Sequence, residues 1–194
     1  PPLASRPAAL RPHHHLLLRA CLPVAPAADH VHPRQAHKFS GTEELDANDE
    51  LRAGADLWHE DREAAFARYG PMSDWDVSDI TSMECLFGGP DRRRPHFNED
   101  LSRWNVSRVT NMPAMFAGAT AFTGAGIGCW DVSSVTNMCC MCLGATSFNQ
   151  RLGGQWATST AQIYRMFDGC PGSIEGKINN ASGTPKRPQR HPKR

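Results

Sequence analysis

The sequence contains no long hydrophobic run. Leu, Ile, Val and Phe together account for 33 of the 194 residues, about 17%. No stretch approaches the roughly 18 to 20 consecutive apolar residues that a membrane-spanning helix requires, which excludes a transmembrane segment of that kind. The low apolar content also predicts that part of the chain lies outside a packed core.

Sequence motifs of the common enzyme classes are also absent. The chain has no Gly-x-Gly-x-x-Gly after a predicted strand, no Walker sequence, no Gly-x-Ser-x-Gly and no His-Glu-x-x-His. Neighbouring acids such as Glu99 and Asp100 have no second convergent group that would make them a general acid and base. We therefore predict no catalytic residue, no cofactor and no enzymatic activity.

The seven cysteines are an odd number, and three of them cluster at Cys139, Cys140 and Cys142. The cluster lacks the paired Cys-x-x-Cys spacing of structural zinc sites, so we predict no metal site and mostly free, structural thiols. Two alternatives, a stray disulfide and an enzyme, stay open at this point. An enzyme that used this segment would need an accessible thiol with a lowered pKa.

Charge is distributed unevenly along the chain. Residues 1–40 carry a net charge of +4 with seven Pro and six His, residues 41–70 carry −6, residues 71–170 carry −2, and residues 171–194 carry +5. We predict a disordered Pro/His/Arg-rich arm over 1–40 and a disordered basic tail over 172–194. Basic termini can bind nucleic acid or an anionic surface, which gives an alternative function, although runs without aromatic residues are more typical of solubilising tails.

A repeat fills the middle of the sequence. Four tryptophans recur at spacings of 29, 26 and 26 residues, three of them in segments such as Trp104-Asn-Val-Ser-Arg-Val-Thr-Asn-Met112. A fixed period of this length is typical of stacked supersecondary units. We predict that the repeated apolar residues form the core, and these are Trp75, Trp104, Trp130, Trp156, Met83, Met112, Met138, Phe87, Phe116, Phe97, Phe122 and Phe148.

Local patterns predict one short strand and one short helix in each repeat. The alternation at Trp104-Asn105-Val106 favours a strand, and apolar residues at 109, 112, 115 and 116 have helical spacing. Asn111 could cap that helix. The sequence therefore predicts an α/β repeat over 71–171, a short solenoid of about four coils, each a short strand plus a short helix.

A helical N-terminal cap is expected over residues 41–70. Glu43 to Tyr69 is predicted as a helix, with Ser40 and Glu43 as a capping box and Gly70-Pro71 as its end. An amphipathic helix commonly covers the open apolar end of a first repeat. We expect Trp58, Phe66 and Tyr69 to provide that cover.

The repeat resembles that of the BspA-like leucine-rich-repeat surface proteins. Residues 97–119 match the string Phe-Asn-x-x-Leu-x-x-Trp-Asp-Val-Ser-x-Val-Thr-Asn-Met-x-x-Met-Phe-x-Gly-Ala except for Asn105 in place of Asp. The third repeat departs from this string in two places. Cys142 occupies a Phe position, and the segment Gly126–Cys129 dilutes the Leu-x-x-Trp part of the string. The resemblance implies a leucine-rich-repeat-like solenoid, a role in adhesion or interaction, and a location at the cell surface or outside the cell.

The resulting expectation is a noncatalytic module that binds a protein or glycan partner, of surface, adhesion or scaffold type. A short solenoid offers a continuous face and no enclosed pocket, which favours an extended partner over a small molecule. Ligand identity, oligomeric state and membership of a longer repeat array stay open. The predicted partner-binding face consists of polar residues between the repeat Phe and Trp, namely Asn98, Asp100, Ser102, Arg103, Asn149, Gln150, Arg151 and Gln155.

Overall fold

The computed structural model describes residues 36–90 and 94–177, which belong to one unit of the chain, Val31–Arg194. The predicted arm falls largely before this range and most of the predicted basic tail falls after it, so both expectations of disorder concern mainly residues outside the description. The described chain begins with helices α1 (Ala47–Glu60) and α2 (Arg62–Tyr69). Near its end lie strand β1 (Arg151–Leu152), the four-residue helix α3 (Gln155–Thr158) and strand β2 (Ser173–Ile174).

The single helix predicted over 43–69 is two helices, because two aspartates cap two separate starts. The Asp46 carboxylate accepts the Asp49 N–H at 2.9 Å and begins α1, in place of the predicted Ser40 capping box. The Asp61 carboxylate accepts the Ala64 N–H at 2.9 Å and begins α2. Gly70 ends α2 with a positive φ of 76°, a conformation that favours glycine.

The two helices pack against the first repeat tryptophan. The rings of Trp58 and Tyr69 each lie 5.7 Å from the Trp75 ring, and both side chains are buried. Phe66 does not share this role, since 47% of it is exposed. A segment that sequence patterns did not reveal completes the contact, because Asp76 N–H donates to the His37 carbonyl and Phe39 N–H donates to the Asp76 carbonyl.

The predicted fold class is wrong. Within the described residues there are three α-helices and one two-stranded parallel sheet, in which Arg151 pairs with Ser173 and Leu152 with Ile174. Between α2 and β1 the described chain consists of turns, isolated bridges and two short 3-10 turns, Met72–Asp74 and Ile127–Cys129. Neither an α/β repeat nor a leucine-rich-repeat-like solenoid of four strand-and-helix coils is present there.

The helical spacing failed because the backbone N–H groups bond elsewhere. The Met112 N–H donates to the Asn137 carbonyl at 3.0 Å, 25 residues later, instead of to a carbonyl four residues earlier. Ala114 has a φ of 51°, a left-handed conformation that cannot continue a right-handed helix. Positive φ recurs in the same repeat position at Cys85, Cys140 and Arg165.

Main-chain hydrogen bonds instead connect each repeat to the next. We call this arrangement the ladder. Each row of the ladder contains four alternate N–H groups that donate to four alternate carbonyls of the following repeat at 2.8–3.1 Å. The donors are Met83, Cys85, Phe87 and Gly89 in the first row, Met112, Ala114, Phe116 and Gly118 in the second, and Met138, Cys140, Cys142 and Gly144 in the third.

The repeat tryptophans add a side-chain bond in the opposite direction. The indole N–H groups of Trp104, Trp130 and Trp156 donate to the carbonyls of Met72, Leu101 and Ile127 at 2.8, 3.0 and 3.2 Å, each acceptor lying three residues before the preceding tryptophan. All twelve residues of the expected repeat core are buried, between 0% and 9% exposed. Neighbouring rings of the first two repeats stack, with Trp75 and Trp104 6.3 Å apart at 16°.

The polar residues after each tryptophan form turns. The side-chain oxygens of Asp76, Asn105 and Asp131 accept the N–H two residues later at 3.0, 3.2 and 3.0 Å. This self-bonding of Asp and Asn is typical of turns and competes with strand formation. It explains why the alternating pattern at Trp104-Asn105-Val106 does not produce a strand.

Candidate functional site

The eight residues of the predicted partner-binding face, called the polar face below, occupy two segments of the described chain, called the first and second loops, although Arg151 belongs to β1 and Gln155 to α3. Asn98 to Arg103 precede Trp104, and Asn149 to Gln155 precede or begin α3. All of the eight are exposed except Gln150, which is half-buried. Their role in binding a partner stays a prediction.

Thr123 joins the two loops. Its N–H and hydroxyl lie 3.0 and 3.1 Å from the Asn98 side-chain oxygen, and its carbonyl accepts the Gln150 side-chain N–H at 3.1 Å. The structure therefore brings Asn98 and Gln150 together on either side of one residue of the intervening repeat. Thr123 was not among the predicted face residues, although it stands in the same repeat column as Asn98.

The first loop is held by further short-range contacts. The Asp100 carboxylate accepts the Ser102 N–H at 2.9 Å, which closes a turn. Ser102 packs against Gly126, where an added Cβ would overlap the Ser102 side chain. Gly126 has a φ of 88°. The glycine that dilutes the third repeat is therefore required by this close approach.

Both arginines of the polar face form ion pairs with acidic residues outside it. Arg103 forms an ion pair with Asp74, and Arg151 lies 3.2 Å from Glu175. The two arginines are 70% and 73% exposed. Exposed pairs of this kind contribute little stability, so both guanidinium groups can exchange their present partner for another anion.

A second charged cluster lies where the segment 37–39 meets the first repeat. Asp79 pairs with Lys38 and with Arg108, each at 2.8 Å. The hydrogen bond from Lys38 is the main cause that lowers the pKa of Asp79 below its usual value, and the Arg108 charge acts in the same direction. Lys38 correspondingly has a raised pKa because of the Asp79 hydrogen bond. Lys38, Asp79 and Arg108 therefore form ion pairs with one another, and their role is structural.

Three of the described cysteines have a raised thiol pKa. Burial raises the pKa of Cys140, Cys142 and Cys170, which is opposite to what a nucleophilic thiolate requires. These three and Cys139 are free thiols, as the sequence predicted. Cys129 is disulfide-bonded, which is the alternative that the prediction of mostly free thiols left open. Among the described residues, no three His, Cys, Asp or Glu side chains cluster as a metal site would require.

Two open cavities of the described chain lie beside α2, and neither is lined by a residue of the polar face. One has a volume of about 550 Å³ and is lined by residues 36–38 and 67–70, and the other has about 370 Å³ and shares Arg68 and Tyr69 with it. Nearby, buried Glu50 accepts the Gly41 N–H at 3.0 Å and lies 2.9 Å from His37. Sequence reasoning missed Glu50 because no local pattern distinguishes it from an exposed helix acid.

Comparison with known proteins gives a family but no individual relative. Residues 60–180 match the family model described as "Mycoplasma protein of unknown function, DUF285". No curated protein and no solved structure matches the chain. Within the described residues, no helix has both the length and the apolar character needed to cross a bilayer.

Proposed function

The chain belongs to the family described as Mycoplasma protein of unknown function, DUF285, and from that premise we propose that it is a noncatalytic module that binds a protein or glycan partner. The finer assignment to the BspA-like surface proteins, with a role in adhesion or as a scaffold, is part of this proposal. It rests on the repeat string at residues 97–119. The partner would meet the module at the cell surface or outside the cell.

The observation that carries the proposal is the link through Thr123. Because Thr123 bonds both Asn98 and Gln150, polar groups of three successive repeats are fixed side by side before any partner arrives. Side chains that are already ordered lose less conformational entropy on binding. A fixed, exposed and hydrogen-bonding surface suits an extended protein or glycan.

Chemistry on a small molecule has less support. The described thiols with a shifted pKa are shifted towards the protonated form. The two cavities share no residue with the polar face. Binding is therefore the function that the geometry supports best.

The test compares two matched double variants for binding to immobilised matrix proteins and to a glycan array. Arg151→Ala with Gln155→Ala removes two exposed side chains of the polar face, and Arg68→Ala with Gln162→Ala removes the same chemistry elsewhere. We expect the first variant to lower the affinity for a saturable partner about tenfold or more, equivalent to about 1.4 kcal/mol. The second should bind as the unmodified protein does.

Two results would contradict the proposal. One is the absence of any saturable partner on both panels. The other is an equal loss of affinity in the two double variants, which would place the contact away from the polar face.

A further inference from the structure

The ladder bonds point in one direction. In all three rows, N–H groups of the earlier repeat donate to carbonyls of the later one. Other main-chain bonds run the other way. Three lie at the row starts, from the N–H groups of Thr110, Thr136 and Gln162 to the carbonyls of Thr81, Thr110 and Thr136, and four lie outside the rows, from Ala121, Ser147, Ser173 and Glu175 to Pro95, Thr120, Gln150 and Leu152. The peptide dipoles of the rows therefore add together, as they do along an α-helix.

Aligned dipoles give the ladder a carbonyl end and an N–H end. The carbonyl end is the first row, which packs near α1. There, the Arg52 guanidinium donates to the Glu84 carbonyl at 3.0 Å. A cation at the carbonyl end is the complement that aligned dipoles favour. The opposite end should favour an anion for the same reason.

The N–H end is formed by the fourth repeat. Its carbonyls at Gln162, Tyr164, Met166 and Asp168 accept the third row, so the alternate N–H groups face outward. These belong to Ile163, Arg165, Phe167 and Gly169, and we call them the outer row. Within the part of the chain that the structure describes, no acceptor bonds to any of the four. Arg165 and Gly169 are exposed, and the Arg165 side chain is paired with Asp168 at 2.8 Å.

We propose that the outer row binds the carboxylates of an extended acidic peptide from a partner protein. The outer row offers hydrogen-bond donors alone, and carboxylates are the strongest peptide acceptors and carry the charge that the dipoles favour. The four N–H groups of the outer row belong to alternate residues, as do the side chains on one side of an extended peptide. Acidic residues at alternate positions would therefore match the row.

This site is separate from the polar face. The four residues of the outer row lie between positions 163 and 169, and none of them is among the eight residues of the polar face. The proposed function can fail while the outer row binds, and the reverse also holds.

The test is a two-dimensional NMR titration of the full chain with a synthetic octapeptide of alternating Glu and Ser. The control is the octapeptide of alternating Gln and Ser. We expect saturable downfield shifts of the Ile163, Arg165, Phe167 and Gly169 amide protons with the acidic peptide and none with the control. Amide signals of the polar face should stay unchanged.

A pair of proline variants tests the main-chain contact. Ile163→Pro removes one donor of the outer row, because proline has no N–H, and should weaken the acidic peptide about fivefold. Tyr164→Pro removes an N–H outside the row, at the repeat position where the second repeat naturally has Pro113, and should leave the affinity unchanged. If Ile163→Pro does not fold, the titration of the unmodified chain tests whether the acidic peptide binds the outer row.

Several results would overturn the proposal. One is the absence of saturable shifts in the outer row. Another is binding of the Gln peptide with the same affinity as the Glu peptide. A third is a set of shifts confined to cationic residues outside the row, such as Arg68. Slow hydrogen exchange of the four amides without peptide would show that the chain itself covers the row. A sulfated oligosaccharide that shifts the four amides when the Glu peptide does not would replace the peptide with a glycan.

Discussion

Individual tryptophans differ in what their indole N–H does. Trp130 is 3% exposed and donates to the Leu101 carbonyl at 3.0 Å. Trp58 is 8% exposed, and its N–H has no hydrogen-bond partner among the described residues. The two side chains are therefore similar in burial and different in bonding, which makes them a matched pair.

Replacing Trp130 with Phe should destabilise the protein more than the same change at Trp58. Trp130→Phe removes one of the two donors to the Leu101 carbonyl, which keeps the Trp104 N–H at 3.1 Å, and the lost bond costs about 0.5–1.5 kcal/mol beyond the loss of ring volume. Trp58→Phe loses ring volume but breaks no described bond of the indole N–H. Urea unfolding of both variants measures the difference. Equal losses would show that the indole bonds contribute nothing to stability.

The indole pattern was partly accessible from the sequence. The spacing of Trp75, Trp104, Trp130 and Trp156 predicted residues that share one role, and all four are buried. The acceptor carbonyls could not be predicted, since a carbonyl is present at every residue and only the register between repeats selects one. The role of Thr123 was missed for a similar reason, because its bonds depend on two neighbouring repeats.

At the scale of elements, each row of the ladder contains one non-glycine residue in a left-handed conformation, and this residue prevents the row from forming a helix. Ala114 has a φ of 51° and still donates its N–H to the Cys139 carbonyl at 2.9 Å. A side chain in this conformation costs about 1–2 kcal/mol relative to the right-handed form. Glycine carries no such cost, although it loses more entropy on folding.

Ala114→Gly should therefore stabilise the protein, by up to about 1 kcal/mol, because relief of the left-handed strain exceeds the added entropy cost. Ala119→Gly is the control, since Ala119 is fully buried and lacks a positive φ, and it should destabilise by about 0.5–1 kcal/mol. Thermal or urea unfolding distinguishes the two. A loss of stability in both variants would contradict the left-handed conformation of Ala114.

Element types were the least predictable feature. The α1 and α2 helices follow local rules, since Asp46 and Asp61 cap them and an apolar face packs inward. The segment after Val109 follows the same apolar spacing, yet its N–H groups bond to residues about 25 positions later. Periodicity reports which residues are buried but not where the backbone N–H groups find their acceptors, so burial was predicted there and the helix was not formed.

For the described part of the molecule, the ladder determines which residues of the sequence lie next to one another on the surface. Because each row is bonded to the next, residues at the same or neighbouring positions of successive repeats are brought side by side, as Asn98, Thr123 and Gln150 show. The common direction of the bonds also makes the two ends different, with Arg52 at the carbonyl end. Both the polar face and the outer row depend on this one arrangement.

The most direct measurement is of NMR scalar couplings across hydrogen bonds in the deuterated, 13C,15N-labelled protein. We predict couplings from the amide nitrogens of Met112, Ala114, Phe116 and Gly118 to the carbonyl carbons of Asn137, Cys139, Met141 and Leu143. Couplings from the same nitrogens to carbonyls four residues earlier would show α-helices in place of the ladder. That result would contradict the basis of both proposed binding surfaces.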